Sequence, residues 1–131
     1  MDSRSTDPIA IVKTVIAALN RGDIEEVLRF CDREIELWAP GPDLSGQQIK
    51  GIDELRQVLE RDEESWPDTW TSIDSIVGDG DCVAVELSTV ATEQDISIVQ
   101  PMAAFYTFKN GLIVAQRNYY DLRALERRLN G

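Results

Sequence analysis

The residues best suited to chemistry share one alternating face of a segment near the end of the chain. Residues 112–120 are rich in branched and aromatic side chains, which predicts a β-strand. Alternation places on one face Leu112, Val114, Gln116, Asn118 and Tyr120. This face is apolar at one end and polar but uncharged at the other, as in the wall of an apolar pocket with hydrogen-bonding groups near its mouth. Asn118 and Tyr120 could there bind a carbonyl or epoxide oxygen.

Glu36 is the carboxylate that a second strand could bring to the same pocket. Residues 34–38 alternate with period two, and the pattern allows two orientations. The orientation that the alternation favours points Ile35 and Leu37 inward and leaves Glu36 in water. If Trp38 faces the pocket instead, Glu36 faces it too. A glutamate among apolar groups has its charged form destabilised, which suits a general acid or base near neutral pH.

Two further segments, 82–92 and 98–108, predict strands that complete the lining. Their alternating faces are mostly apolar, with a few amides and hydroxyls. The residues that we expect to bind substrate on these strands and their neighbours are Trp38, Leu87, Thr89, Gln100, Met102, Ala104 and Gln116. Taken singly, each of the apolar ones fits a filled core better than a pocket wall.

The elements that must hold these residues follow an α+β order. Asp7-Pro8 begins a helix that Gly22 ends, and Asp23 caps a second helix with an apolar stripe reaching Cys31. A loop rich in Pro, Gly and Ser reaches Lys50. A third helix is predicted at 52–64, where the charges at 60–64 indicate a solvated helix face.

The second half of the chain predicts a meander. Its antiparallel strands are expected at 69–77, 82–92, 98–108 and 112–120. The Lys109-Asn110-Gly111 turn joins the last two, and Asp121 caps a short closing helix. Pro101 indicates a bulge or a locally unpaired edge. We therefore expect a single domain over 1–131, in which N-terminal helices cover a curved, mainly antiparallel sheet and enclose a cavity.

Composition excludes several classes of function. The net charge of −11 argues against nucleic acid and anionic membranes as partners. The chain has no histidine, which excludes Ser-His-Asp and Cys-His catalysis and the commonest zinc ligand, and we expect no metal site. The separated cysteines Cys31 and Cys82 are typical of reduced thiols, and the chain has neither a secretory signal nor an apolar run long enough to span a bilayer. These features predict a soluble, cytoplasmic protein.

Several segments, in their order and spacing, resemble the NTF2-like superfamily. They are Asn20-Arg21-Gly22-Asp23-Ile24-Glu25, Trp66-Pro67-Asp68, residues 77–85 and Lys109-Asn110-Gly111-Leu112-Ile113. The branches that look most similar are the SnoaL-type cyclases and the limonene-epoxide hydrolases. The resemblance implies a cone-shaped α+β barrel and a homodimer joined through the outer sheet face. It also implies a pocket that performs acid/base chemistry on apolar small molecules without a cofactor.

The chain departs from the known catalytic sets at individual positions. Residues 117–123 resemble the tail of the epoxide hydrolases, in which an Asp stands at the position of Asn118. The Arg and Asp of that family fall on Leu87 and Thr89. An amide cannot take a proton from water as a carboxylate does, so ordinary epoxide hydrolysis is not expected. In the ketosteroid isomerases, the catalytic Asp aligns with Trp38 and the oxyanion-holding Asp with Ala104.

The sequence thus predicts a SnoaL-like enzyme acting on an apolar oxygenated substrate by isomerisation, cyclisation, hydration or hydrolysis. Its expected catalytic residues are Glu36, Asn118 and Tyr120. Two alternatives remain open: an epoxide hydrolase with an altered catalytic set, and a non-catalytic domain that binds a ligand or dimerises.

Overall fold

Helices and strands follow the predicted order, with one additional strand. The computed structural model describes residues 7–41, 46–93, 96–124 and 127. Its elements are α1 (Pro8–Asn20), α2 (Ile24–Arg29), β1 (Cys31–Ala39), β2 (Gln47–Lys50), α3 (Ile52–Ser65), β3 (Trp70–Asp79), β4 (Cys82–Glu93), β5 (Ile96–Lys109) and β6 (Leu112–Tyr119). None of the helices in this described part is long and apolar enough to cross a lipid bilayer.

The first two helices begin at the caps that the sequence predicts. The Asp7 carboxylate accepts a hydrogen bond from the Ala10 N–H, and the Asp23 carboxylate accepts one from the Glu26 N–H at 3.2 Å. The second helix is shorter than predicted, because it ends at Arg29 and Cys31 is already the first residue of β1. Cys31 is buried as the first residue of β1. Its spacing from Val27 and Leu28 also fits a helix, which is why the sequence assigned it to the apolar face of α2.

A curved sheet carries the rest of the fold and confirms the predicted α+β class. Its strand order is β2-β1-β6-β5-β4-β3. The last four strands form the predicted antiparallel meander, while β1 pairs in parallel with β6. Asn110 and Gly111 both have positive φ in the hairpin between β5 and β6, as the Asn-Gly pair predicts.

Strand β2 is the addition, since residues 47–50 were expected to be a loop. Ile49 is the apolar residue of this short strand, so its sequence carries no alternating pattern. Pairing with β1 places Ile49 opposite Leu37 and buries it. The strand therefore exists because of its neighbour rather than its own propensity.

The helices cover one face of the sheet, which we call the inner face. Val83 and Val85 of β4 lie opposite Tyr106 and Ala104 of β5, and all four are buried. The buried residues by which helix α1 packs against this core are Ile11, Val12, Val15, Ile16 and Ala18. Strand β5 pairs with β4 without a bulge at Pro101, and its pairing with β6 extends only to Ala103. Pro101 thus lies where β5 has no β6 residue beside it, as expected for a residue without an N–H.

Candidate functional site

A cavity of about 400 Å³ lies between the inner face of the sheet and the ends of the helices. That volume is in the range of small-molecule sites. Its sheet wall consists of Thr71, Thr89, Ala91, Ile98, Gln100 and Met102. The helices and their connections contribute Leu19, Asn20, Gly22, Ile24, Leu59, Asp62, Glu63, Trp66 and Thr69, and Tyr120 follows β6. Most of this lining is apolar.

Three polar side chains form a row across the sheet wall. Thr71 of β3 lies opposite Thr89 of β4, which lies opposite Gln100 of β5. Residues paired across strands project from the same face, so this polar row, Thr71–Thr89–Gln100, crosses the wall in a single band. Apolar side chains flank it, with Leu87 and Met102 on one side and Ala91 and Ile98 on the other.

Asn20 anchors the end of α1 to the row. Its side-chain Nδ2 donates to the Thr71 carbonyl and its Oδ1 accepts from the Thr71 N–H, both at 2.8 Å. Strand β3 is at the edge of the sheet, where backbone groups lack a further strand. The Asn20 amide supplies that missing partner at one residue and fixes the distance between α1 and the cavity wall.

Asp62 and Tyr120 bring ionisable groups to the cavity. Asp62 keeps contact with solvent, but the surrounding protein removes part of its hydration, which raises the pKa of its carboxyl although Arg61 lowers it. Partial burial likewise raises the pKa of the Tyr120 phenol, and the Asp62 charge raises it further. The two groups are thus close enough to influence each other.

Glu63 adds a second carboxylate beside the turn between α1 and α2. A Cβ atom at Gly22 would lie 3.0 Å from its Oε1, and Gly22 has a φ of +70°. The turn therefore requires glycine for its backbone and leaves room for the Glu63 side chain. No lysine or arginine is among the described residues that line the cavity.

Residues 60–64 are exposed, as predicted for a solvated helix face, and for that reason sequence analysis did not single out Asp62, which also lines the cavity. A usable signal was present in the helical spacing. Leu55, Leu59, Asp62 and Trp66 follow one another at intervals of four, three and four residues, which places all of them on one side of α3. Leu55 is buried, and the other three line the cavity.

Four of the predicted site residues lie in this cavity. They are Thr89, Gln100, Met102 and Tyr120. Leu87 and Ala104 project from the same face but are buried in the core, with exposures of 3% and 0%. They fit the filled-core interpretation that the sequence left open, since helix side chains cover this part of the sheet.

Gln116 and Asn118 lie on the inner face but are not among the described residues lining the cavity. Their pairing with Tyr106 and Ala104 sets this orientation. The Gln116 Nε2 donates to the Asn118 Oδ1 at 2.9 Å, so the two amides partly satisfy each other.

Glu36 and Trp38 lie on the opposite, outer face, which corrects their expected placement in the pocket lining. Trp38 packs against Tyr119 with 5.3 Å between ring centroids, and Tyr119 is itself 43% exposed. Glu36 shares the face of Trp38 and is exposed. The inward residues of β1 are Ile35 and Leu37, as in the orientation that the alternation favoured. Burial of these two apolar residues outweighs that of Trp38, which packs against the aromatic ring of Tyr119 on the outer face.

The described residues contain no group of three or more His, Cys, Asp or Glu side chains arranged to hold a metal ion. The chemistry that the site offers is that of a carboxylate and a phenol beside an apolar cavity. A carboxylate with a raised pKa is a better base when ionised, and a phenol with a raised pKa stays protonated and donates a hydrogen bond.

Comparison with known proteins identifies a family and a fold. The family model described as SnoaL-like domain matches residues 12–116. Among proteins with curated functions, no sequence matches.

Solved structures that are similar in fold have low sequence identity. AclR from Streptomyces galilaeus, a candidate hydroxylase, is 19% identical with a TM-score of 0.79, and the match covers 94% of this chain and 95% of AclR. IdmH from Streptomyces antibioticus, a candidate polyketide cyclase, is 18% identical with a TM-score of 0.77, covering 95% and 99%. A protein from Catenulispora acidiphila with a ketosteroid isomerase-like fold, in complex with trimethylamine, is 17% identical with a TM-score of 0.74, covering 86% and 85%.

Proposed function

Because the chain belongs to the family of SnoaL-like domains, we propose that it is an enzyme that moves a proton on an apolar oxygenated small molecule. Its own side chains would supply the acid/base chemistry in the cavity described above. The observation that carries the proposal is the Asp62 carboxylate, which lies at a mostly apolar cavity beside the Tyr120 phenol.

In the proposed reaction, ionised Asp62 is the general base. It removes a proton from carbon next to a carbonyl, and the Tyr120 O–H donates a hydrogen bond to the carbonyl oxygen as negative charge develops there. The raised pKa of each group supports its role, since Asp62 becomes more basic and Tyr120 remains a donor. Protonated Asp62 then returns the proton at another atom.

Isomerisation and cyclisation share this first step. An enolate can be reprotonated at a new carbon, which isomerises the substrate, or it can attack a second carbonyl, which closes a ring. Hydration or hydrolysis would instead use Asp62 to deprotonate water. The candidate cyclase and hydroxylase among the structural neighbours are compatible with carbon-acid chemistry on this fold.

Exchange of α-hydrogens tests the proposal without knowledge of the natural substrate. We expect the wild-type protein to accelerate the exchange of 2-tetralone α-hydrogens in D2O, measured by proton NMR. Asp62→Asn should reduce this acceleration by about a hundredfold, the lower end of the range for general-base catalysis. Glu64→Gln is the matched control, because Glu64 is exposed on the same helix and is not among the residues lining the cavity.

Two outcomes would contradict the proposal. One is an Asp62→Asn rate equal to that of the wild type. The other is a wild-type rate equal to that of buffer, which would favour the alternative of a domain that only binds its ligand.

We also propose that two copies associate through the outer face of the sheet. Trp70, Val90 and Val99 lie opposite one another on neighbouring strands and project outward. Trp70 is 58% and Val99 51% exposed. Adjacent exposed apolar side chains of this size are typical of protein–protein contacts.

A cytoplasmic location is proposed on the state of the thiols. Cys31 and Cys82 are both free, and Cys82 is exposed. An exposed free thiol is typical of proteins in a reducing compartment. Recovery of the protein in a cytosolic fraction tests this proposal.

A further inference from the structure

The polar row Thr71–Thr89–Gln100 has incomplete hydrogen bonding. The Gln100 Nε2 donates to the Pro101 carbonyl at 3.0 Å. The Gln100 Oε1 is buried and has no partner among the described residues. The amide cannot be reversed, because the Pro101 carbonyl only accepts hydrogen bonds and needs the nitrogen beside it. The wall of the cavity thus contains a buried acceptor that lacks a donor.

The two threonines of the row leave a complementary donor. Their hydroxyl oxygens are 3.0 Å apart, so one hydroxyl donates to the other. The hydroxyl that accepts this bond still carries its own hydrogen, which no other described group receives. The row therefore contains one acceptor without a donor and one hydroxyl hydrogen that no other described group receives.

We propose that the polar row binds a hydroxyl group of the substrate. The ligand O–H donates to the Gln100 Oε1, and with Thr71 donating to Thr89 the ligand oxygen accepts the hydrogen of Thr89, the threonine paired with Gln100. A hydroxyl can do both, whereas an ether oxygen cannot donate and an ammonium group cannot accept. The inference rests on the proposed function only in taking this cavity as the substrate site.

The register of the strands places this hydroxyl at a distance from the reacting oxygen. Ala103 pairs with Tyr119 at the end of the β5–β6 pairing, and Tyr120 is the first residue beyond it, where it lines the cavity together with Met102. Gln100 is the next inward-facing residue of β5 beyond Met102, roughly 7 Å further along the strand. The substrate class is therefore an apolar molecule with two separated oxygen functions, a carbonyl at Tyr120 and a hydroxyl at the polar row.

The charges of the cavity disfavour an anionic group in the place of the hydroxyl. Asp62 and Glu63 both line the cavity, and no lysine or arginine does so among the described residues. A carboxylate ligand would meet like charges and could not donate to Gln100 Oε1. The substrate is thus expected to be uncharged.

Binding of three matched probes tests the inference. The probes are 2-naphthylmethanol, its methyl ether and 2-naphthoate, and isothermal titration calorimetry gives their affinities. We expect the alcohol to bind about tenfold more tightly than either of the others, the effect of one well-formed hydrogen bond. An ether or a carboxylate that binds as tightly as the alcohol would overturn the inference.

Variants of the polar row test whether its residues cause the preference for the alcohol. Gln100→Leu should reduce the affinity for the alcohol about tenfold and leave that for the ether unchanged. Thr89→Val should act in the same direction and provides a second test if Gln100→Leu does not fold. Thr92→Val is the control, because Thr92 is an exposed residue of the same strand and is not among the residues lining the cavity.

Equal losses for alcohol and ether in both row variants would also overturn the inference. The result is separate from that of the exchange experiment, since it measures binding without turnover. If the alcohol preference depends on the row while Asp62→Asn exchanges normally, the proposed function fails and the hydroxyl site stands.

Discussion

At the level of single residues, Asp62 is exposed to solvent and also lines the cavity, where neighbouring protein removes part of its hydration. Its pKa is raised because loss of hydration disfavours the charged form. A carboxyl group that gains pKa on folding binds more protons in the folded state than in the unfolded state between the two pKa values. The free energy of unfolding therefore falls as pH rises through this interval.

Asp62→Asn is expected to stabilise the fold at neutral pH while removing activity. The neutral amide avoids the cost of a partly desolvated charge, so the variant should unfold at a higher temperature than the wild type at pH 7. The difference should disappear at a pH below both pKa values, where Asp62 is protonated in either state. Thermal unfolding at several pH values measures it. A stability difference that stays constant with pH would contradict this explanation.

Tyr120→Phe isolates the contribution of the phenol hydroxyl. Loss of one hydrogen bond to the developing oxyanion should lower the 2-tetralone exchange rate about tenfold, and the ring remains to fill its place. Tyr119→Phe is the control, since Tyr119 packs against Trp38 on the outer face.

Glu36→Gln is expected to leave the exchange rate within about twofold of wild type, as for most surface substitutions away from a site. Glu36 is exposed on the outer face, with the sheet between it and the cavity. The same assay measures both this variant and Asp62→Asn. A loss as large as that of Asp62→Asn would return the catalytic role to Glu36, as sequence analysis first assigned it.

At the level of elements, one face of α3 contributes both to the hydrophobic core and to the cavity lining. Leu55 packs in the core near the start of the helix, and Leu59 and Asp62 reach the cavity further along. The part of α3 that lies beyond the core faces the cavity. A carboxylate such as Asp62 can therefore be placed there without being buried completely. Trp66 ends the helix and encloses the cavity at that side.

The contact between α1 and β3 depends on Asn20. Asn20→Ala removes two hydrogen bonds to Thr71 and leaves two backbone groups of the edge strand without these partners. We expect the free energy of unfolding to fall by about 1–3 kcal/mol, measured by urea denaturation. Thr14→Ala is the control, because the Thr14 hydroxyl bonds only within α1, to the Ala10 carbonyl, at an exposed position. Equal losses in the two variants would contradict a special role for Asn20.

At the level of the whole molecule, charge opposes the proposed dimer while apolar surface favours it. Each chain carries a formal charge of −11, so two copies repel each other at low salt. We expect the dimer to strengthen as the ionic strength rises, measured by analytical ultracentrifugation. Trp70→Lys should shift the equilibrium to the monomer, because it removes the exposed indole and places a charge in the contact.

Gln57→Lys is the matched control for this experiment. It makes the same change in charge at an exposed position of α3, away from the sheet. A dimer that persists in Trp70→Lys, or that dissociates equally in both variants, would contradict association through the outer face.

Local sequence signals determined most of the elements. Asp7-Pro8 and Asp23 are side-chain caps, Asn110-Gly111 tolerates positive φ, and the long strands alternate because one face is buried. Such signals depend on neighbouring residues only, so they can be recognised without the fold. The resemblance of the segments around Gly22 and the hairpin also identified the family correctly.

Tertiary structure decided which side chains meet at the cavity. The alternation of β1 allowed Glu36 to face either way, and packing of Ile35 against the core selected the outer face. The charges at 60–64 were compatible with a solvated helix, and only the sheet opposite α3 makes Asp62 part of the cavity. A cap or a turn is fixed by contacts within a few residues, whereas a cavity is formed by residues distant along the chain whose relative positions depend on the packing of the whole fold.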